Sequence, residues 1–251
     1  MRIMIAIRAL LLVAAMLVGA TSVHAQAVSG QGTWETTLVG RDINLNAVAA
    51  TSASAVYLYD TTLNVTWQHN ANVAGQMDWS TANSWAANMV TGSGAATVSD
   101  WRLPTMANPD PAAACNWGNN GTNCGYNVAT SSSEMASLFF STLGNKSYVD
   151  TSGNQPQSGW GLTNTGSFQN MQSYVYWLGT GYAPNFGSAW FFGTNGGFQN
   201  TGGEPQQLYA MAVHSGDVAS LVTPVPEPET YAMLLAGLGL IGVIGRRRSR
   251  T

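Results

Sequence analysis

The stretch VYLYDTTLNVTW, residues 56–67, contains two short runs of β-branched and aromatic residues on either side of a polar turn. Residues 56–59 and 65–67 have the composition of β-strands, and the polar segment from Asp60 to Asn64 favours a turn. The stretch therefore predicts an antiparallel pair of strands. Three later runs of the same kind are separated by clusters of Gly, Asn and Pro: 174–178, 189–192 and 208–214.

Two helices are predicted between these strands from the spacing of apolar residues. Residues 82–90 carry an apolar stripe at i, i+3, i+4, i+7 and i+8, and Asp78 or Ser80 is available as the N-cap. Ser131 and Glu134 have the spacing of a capping box at the start of a second helix. Two helices with several hairpins indicate the α+β class.

The first 25 residues have the layout of a secretory signal peptide. Two arginines and no acidic residue precede an apolar core over residues 9–20, and Val23-His24-Ala25 places small residues three and one positions before Gln26. The core of about a dozen residues is shorter than the roughly 20 that a membrane-spanning helix needs. We therefore expect export by the general secretion machinery and cleavage by signal peptidase near Ala25.

The chain has 251 residues, of which 45% are apolar and only 8% are charged, whereas about a quarter are charged in an ordinary soluble domain. Between the two end segments, residues 26–224 suffice for one domain with its own core. Residues 26–55 are small, polar and weakly patterned. They are predicted to be an N-terminal extension to a domain at 56–224.

The charge of this middle part restricts its partners. Three of the nine basic residues but ten of the twelve acidic residues lie in it, so its net charge is about −7. An anionic surface repels phosphate backbones and anionic lipid headgroups. The composition therefore excludes most nucleic-acid-binding proteins and most proteins that bind membranes through basic patches.

The chain contains two cysteines, Cys115 and Cys124. Because export leads to an oxidising compartment, we expect them to form a disulfide. Closing a loop of about ten residues stabilises a fold by about 2.7 kcal/mol in the chain-entropy model. The alternative is a metal site, but two thiolates without a nearby histidine make an incomplete zinc shell. No metal or cofactor is predicted.

The C-terminal segment, 225–251, has three parts with different physical properties. Val225-Pro226-Glu227-Pro228-Glu229-Thr230 is acidic and is held extended by its prolines. Residues 231–245 are an apolar transmembrane candidate, but as a helix they would cover only about 22 Å of a hydrocarbon core about 30 Å thick. A basic cluster that would stop transfer on the cytoplasmic side follows: Arg246, Arg247, Arg248 and Arg250.

This tail resembles the PEP-CTERM sorting signal of Gram-negative bacteria, also called the ice-binding protein C-terminal domain. The resemblance implies processing by an exosortase, a membrane-embedded cysteine protease, with Pro226, Glu227 and Pro228 as the recognised tripeptide. It also implies export from cells that make exopolysaccharide and biofilm matrix, through an inner-membrane intermediate to the outer surface or the matrix. An ordinary tail anchor is the alternative, although such an anchor needs no acidic proline motif and prefers a longer span.

The middle part carries, in this order along the chain, Asp60, Trp67, Trp101, Arg102, Leu103, Pro104, Tyr176, Trp177 and Trp190. With these residues it resembles the Lcl C-terminal-like domain, a domain of unknown function with a C-type-lectin-like or formylglycine-generating-enzyme-like appearance. The resemblance covers about residues 56–219 and departs where this chain has YWLGT, at 176–180, in place of YWSST. It implies a C-type-lectin-like fold and no particular activity.

Catalytic signatures are weak in the middle part. His69 and His214 each lie beside a predicted strand without a ligand partner in spacing, so structural roles are expected for both. A G-x-S-x-G motif is lacking, and Asp100, Asp110 and Asp150 lie in no calcium-loop array. A pair of carboxylates for glycoside hydrolysis remains open, because such a pair forms in space and not in sequence.

Most of the nine tryptophans are expected in the core, where each aromatic ring can bury 150 to 250 Å². Trp117 and Trp160 differ because they lie among Asn and Gly. Together with Tyr182 they are candidates for a face on which sugar rings stack, and packing of loops is the alternative. Arg102 is expected to form a buried ion pair with Asp60 or Asp100.

The sequence thus favours an exported, exosortase-processed surface or matrix protein. Its expected role is adhesion or binding to extracellular polysaccharide without enzymatic activity. A secreted glycan-acting hydrolase and a purely structural component of the biofilm matrix are the alternatives.

Overall fold

The computed structural model describes residues 25–106, 114–120 and 123–221, together with Met233, Leu235 and Ala236. The predicted signal peptide up to residue 24 lies outside the described residues. So do Asp110, the tripeptide of Pro226, Glu227 and Pro228, the terminal arginines and most of the apolar segment 231–245. Across the described ranges, no helix has both the length and the apolar character needed to cross a membrane.

The described residues contain eleven strands in two sheets. The strands are β1 (Leu38–Arg41), β2 (Ala47–Val48), β3 (Tyr57–Asp60), β4 (Val65–Gln68), β5 (Gln76–Met77), β6 (Gly125–Tyr126), β7 (Val175–Gly181), β8 (Ser188–Gly193), β9 (Phe198–Gly203), β10 (Leu208–Tyr209) and β11 (Val213–Ser215). The first sheet has the order β11-β4-β3-β1-β2, and the second has the order β5-β10-β7-β8-β9-β6. The protein is therefore a mixed fold, mostly strands with few helices.

The first sheet is built on the predicted hairpin. Strands β3 and β4 pair antiparallel from Tyr57↔Gln68 to Asp60↔Val65, which confirms the prediction for residues 56–67. Strand β1 continues the sheet by pairing with β3, although residues 26–55 were predicted to be an extension. Trp34 and Leu38 from this segment are buried in a core cluster, so the segment contributes to the core.

The second sheet is centred on β7, β8 and β9, which pair in sequence as an antiparallel meander. Strand β10 lies parallel to β7 on the other side. The predicted strand at 208–214 is in fact split into β10 and β11, which lie in different sheets. Residues 210–212 are buried where the chain passes from one sheet to the other, so their apolar character reflects burial between sheets and not one continuous strand.

Three α-helices occur in the described residues: α1 (Trp34–Thr37), α2 (Trp79–Ala87) and α3 (Glu134–Ala136). Asp78, one of the two predicted candidates for the N-cap, caps α2 by accepting a hydrogen bond from the backbone N–H of Thr81. The second predicted helix begins at Glu134 and continues as a π-helical segment, Ser137–Thr142. Its cap is Ser133 and not Ser131.

Glu134 is not part of a capping box because its carboxylate is bound elsewhere. It forms a bidentate ion pair with the guanidinium of Arg102, in which both N–O distances are 2.7 Å. It also accepts a hydrogen bond from the backbone N–H of Thr105 at 2.8 Å. The expected pairing of Arg102 with Asp60 or Asp100 is therefore wrong, and the Arg102–Glu134 pair fixes the Trp101–Thr105 corner against α3.

Asp60 is fully buried, and its carboxylate accepts hydrogen bonds from the backbone N–H groups of Thr62 and Leu63. Burial raises the pKa of this carboxyl above its ordinary value, and the hydrogen bonds from Leu63, Thr62 and Thr142 offset part of the rise. A pKa that is higher in the folded state makes folding most favourable below the unfolded pKa, and this contribution is lost as the pH rises through the folded pKa.

We therefore expect a pH-dependent difference between the wild type and the Asp60→Asn variant. As the pH rises from about 3 through the ordinary aspartate range near 3.9 toward neutrality, the free energy of unfolding of the wild type should fall relative to that of the variant. Urea unfolding of both exported proteins over this pH range measures the difference. Parallel pH profiles would show that Asp60 does not titrate with a raised pKa.

Candidate functional site

Four aromatic side chains form a continuous set of ring contacts at the surface, here called the aromatic row: Trp117, Tyr126, Tyr148 and Trp160. The ring centroids of Trp117 and Tyr126 lie 5.3 Å apart, those of Tyr126 and Tyr148 lie 6.5 Å apart, and those of Tyr148 and Trp160 lie 4.7 Å apart. Residues distant in sequence are thereby joined on one surface.

The ends of the aromatic row are open to solvent. Trp117 is 49% exposed and Trp160 is 42% exposed, whereas Tyr126 and Tyr148 between them are half-buried. An exposed tryptophan leaves much of its apolar area in contact with water, which a ligand can cover. The two tryptophans singled out in the sequence therefore lie on one surface with two tyrosines between them.

Tyr182 makes its ring contact with a residue outside this row. Its ring packs edge-on against Trp190 at 5.4 Å, and its hydroxyl accepts a hydrogen bond from the backbone N–H of Cys115 at 3.1 Å. Tyr182 is also only partly exposed. Among the described residues no ring contact joins Tyr182 to Trp117 or Trp160, and the expected grouping of the three side chains on one sugar-binding face stays a prediction.

The predicted disulfide between Cys115 and Cys124 is present and holds one end of the row. The two cysteines precede Trp117 and Tyr126 by two residues each. Beyond the disulfide, the backbone N–H of Tyr126 donates to the carbonyl of Gly118 at 2.8 Å. The crosslink and this hydrogen bond together keep the ring of Trp117 against the ring of Tyr126.

Gly125 makes this close approach possible. Its φ is +101°, a value that side chains other than glycine rarely adopt. A Cβ atom at this position would lie 2.0 Å from the carbonyl oxygen of Gly118. Glycine is therefore required for the loop bearing Trp117 to lie against β6.

The ring of Phe198 packs against the end of the row that contains Trp117 and Tyr126. Its ring centroid lies 6.0 Å from that of Trp117 and 5.8 Å from that of Tyr126. On its other side it contacts Phe191 at 6.2 Å, a residue of the second core cluster. These contacts therefore join the row to the core.

The other end of the row is set by an extended segment at 145–150. Burial alternates along it, since residues 145, 147 and 149 are buried while Lys146 and Tyr148 face outward. Lys146 makes a parallel backbone bridge with Trp160, and its carbonyl accepts from the N–H of Gly161 at 2.9 Å. The two residues paired in such a bridge project on the same side, and so do Lys146 and Tyr148, which are two residues apart in an extended segment. Trp160 therefore lies against Tyr148.

The two histidines lie away from the row, in buried positions. Both ring nitrogens of His69 are within 2.6 Å of backbone carbonyls, those of Ala55 and Ser167. The ring of His214 lies 5.9 Å from that of Trp101. These contacts show how each ring is packed and give neither a role in binding.

Two acidic residues, Asp78 and Glu204, line one open cavity of about 410 Å³. A glycoside hydrolase needs one protonated and one ionised carboxyl group. Hydrogen bonds from the backbone N–H and the hydroxyl of Thr81 lower the pKa of Asp78, so Asp78 fits the ionised partner and not the acid. Across the described ranges, no three His, Cys, Asp or Glu residues are grouped so as to hold a metal ion.

Sequence reasoning did not identify the two tyrosines of the row. Their partners come from segments that are far apart along the chain, so no local pattern connects them. One signal was available for Tyr126, because it follows Cys124 at the same spacing as Trp117 follows Cys115. A loop closed by a disulfide brings such positions together.

One family profile matches the chain, that of the PEP-CTERM protein-sorting motif, over residues 224–249. The chain matches no curated protein and no solved structure. The motif implies an exported protein that an exosortase processes, in agreement with the tail resemblance. The resemblance to the Lcl C-terminal-like domain and the C-type-lectin-like fold stay predictions.

Proposed function

We propose that this chain, an exported protein with a PEP-CTERM sorting motif, binds extracellular polysaccharide through the aromatic row and catalyses no reaction on it. The observation that carries the proposal is the continuous contact from Trp117 through Tyr126 and Tyr148 to Trp160, with both tryptophans exposed. Delivery to the cell exterior brings this surface to the compartment where such polymers lie.

The chemistry of a sugar ring suits such a surface. One face of a pyranose presents C–H groups, and its hydroxyls lie around the rim. Aromatic rings cover the C–H face, while the indole N–H and the phenol hydroxyl remain available at the edge for hydrogen bonds. Several rings in sequence offer contacts to more than one sugar unit of a polymer.

The rigidity of the row supports affinity. The disulfide holds Trp117, and Phe198 lies beneath it, while the backbone bridge between Lys146 and Trp160 holds the other end. Side chains that are already ordered lose little conformational entropy when a ligand binds. The tight packing of these loops therefore favours a preformed binding surface over one that rearranges when the ligand binds.

A glycan array probed with the exported, processed protein tests the proposal. We expect binding to extended polysaccharides and weak binding to monosaccharides, because one sugar unit covers only part of the row. Silence across the array would contradict the proposal and favour a purely structural role in the matrix.

The processing of the tail leads to a separate expectation. In cells with the exosortase, the intact mass of the mature protein should lack the segment after the Pro226-Glu227-Pro228 region, and in cells without the enzyme that segment should be retained. The unprocessed form that retains this segment would be held at the inner membrane by its apolar residues. The same C-terminus in both strains would contradict exosortase processing.

A glycan hydrolase is the second candidate, because Asp78 and Glu204 line one cavity. In that case Glu204 would have to supply the proton and Asp78 the base. The polysaccharides that bind on the array serve as substrates for testing hydrolysis by the wild type and by the Glu204→Gln variant. Release of new reducing ends that the Glu204→Gln variant no longer produces would favour the hydrolase over a binding protein.

A further inference from the structure

A second concave surface lies at the loop between β7 and β8, and it is here called the hairpin-loop pocket. Its walls include Tyr182, Phe186, Ser188 and Glu204, and its volume is about 240 Å³. Glu204 also lines the neighbouring cavity with Asp78, so the same residue borders two open spaces. None of the ring contacts of the aromatic row includes these residues.

The backbone around this pocket is fixed by hydrogen bonds. The N–H of Tyr182 donates to the carbonyl of Ser188 at 2.8 Å, and the N–H of Asn185 donates to the carbonyl of Tyr182 at 3.1 Å. The N–H of Glu204 donates to the carbonyl of Gly187 at 2.9 Å, while its own carbonyl accepts from Trp79 at 3.0 Å. These hydrogen bonds therefore hold the backbone of the pocket in place.

Glu204 differs from the other acidic residues of the described chain. Each of the other eight accepts at least one hydrogen bond or joins an ion pair, whereas no described residue donates to the carboxylate of Glu204. Glu204 is a half-buried residue. A carboxylate in such a position gains from a donor that a ligand supplies.

The charge around the pocket favours a cationic donor. In the part of the chain that the structure describes, Arg41 is paired with Asp217, Arg102 is paired with Glu134, and Lys146 lies beside Trp160. None of these basic residues lines the pocket. The second carboxylate next to it, Asp78, adds negative charge.

The rings around the pocket also suit a cation. Tyr182 is held by Trp190 and Cys115, and Phe186 is 96% exposed at the tip of the loop. Aromatic faces attract ammonium groups and cover the apolar carbons next to them. A carboxylate and two rings together therefore match a protonated amine carried on a compact ring.

We propose that the hairpin-loop pocket binds the protonated amino group of an amino sugar in a de-N-acetylated polysaccharide. The choice of a sugar polymer over another amine rests on the proposed function. The carboxylate of Glu204 accepts hydrogen bonds from the ammonium group, and Tyr182 and Phe186 contact the sugar ring. The adjoining cavity on the other side of Glu204 leaves room for the chain to continue.

Binding of a glucosamine hexamer and of its fully N-acetylated counterpart to the exported, processed protein tests this proposal. We expect the glucosamine hexamer to bind about tenfold more tightly at low salt, because only its amines are charged. Glu204→Gln should lower the affinity for the glucosamine hexamer to that for the N-acetylated hexamer. The aromatic-row variant Trp160→Ala should keep the preference for the glucosamine hexamer, because Trp160 does not line the pocket.

Asp100→Asn is the matched control, because it removes one negative charge elsewhere and Asn tolerates the positive φ at that position. Equal affinities for the two hexamers in the wild type would overturn the amine assignment. So would equal losses in Glu204→Gln and Asp100→Asn, or competition by pentalysine as strong as by the hexamer. The proposed function is tested by a different result, because it is contradicted only when no polysaccharide on the array binds.

Discussion

Trp160→Ala is expected to weaken polysaccharide binding about tenfold to thirtyfold while leaving the fold intact. Trp160 is 42% exposed, and its ring contacts Tyr148 at 4.7 Å at the end of the aromatic row. Truncating a tryptophan at a binding surface typically costs about 2 kcal/mol of affinity, and every 1.4 kcal/mol is a factor of about ten. Isothermal titration with the tightest array ligand measures the change.

Tyr174→Ala provides the matched control for this experiment. Tyr174 is 43% exposed, nearly the same as Trp160, but its ring contacts Tyr209 and not the row. We expect the affinity of this variant to remain within about twofold of the wild type, as for other surface residues outside a binding site. Equal losses in the two variants would show that the row is not the binding surface.

Gly125→Ala is expected to lower the free energy of unfolding by about 2 to 3 kcal/mol and to weaken binding as well. A left-handed φ costs a residue with a Cβ about 1 to 2 kcal/mol. The added Cβ would also lie 2.0 Å from the Gly118 oxygen, so the loop must move and the hydrogen bond from Tyr126 to Gly118 is lost. Movement of this loop separates Trp117 from Tyr126.

Gly75→Ala separates the two parts of this effect. Gly75 also has a positive φ, +74°, but a Cβ there would meet no atom within 4 Å. We expect a loss of about 1 kcal/mol from backbone strain alone and no change in binding. Denaturant unfolding and titration are measured for both variants. An unchanged affinity in Gly125→Ala would show that the position of Trp117 does not matter for binding.

Local pattern was sufficient for several elements of the fold. The hairpin at 56–67 and the helix capped by Asp78 were predictable because β-branched residues, apolar spacing and a capping side chain act within a few residues. The disulfide followed from the compartment and the cysteine count. Each of these depends on few long-range contacts.

Other elements depend on their neighbours in the folded chain. Strand β9 has the sequence FQNTGG, which has little strand character, yet it lies between β8 and β6 and takes its conformation from their hydrogen bonds. Strand β1 pairs with β3 in the same way. Tertiary context therefore overrode weak local preference at both strands.

The candidate site was partly predictable for the same reason. Trp117 and Trp160 stood out because large aromatic residues among Asn and Gly have no local core to fill. Tyr126 and Tyr148 did not stand out, and Glu134 was assigned to a helix cap although it binds Arg102. Pairings between distant segments determine which of these side chains meet.

The most direct measurement of the proposed function is an NMR titration that follows the indole N–H signals of the exported, processed protein as polysaccharide is added. The signals of Trp117 and Trp160 should shift, whereas those of the fully buried Trp67 and Trp177 should stay in place. Saturating binding without a shift of either exposed tryptophan would contradict the assignment of the aromatic row as the polysaccharide-binding surface.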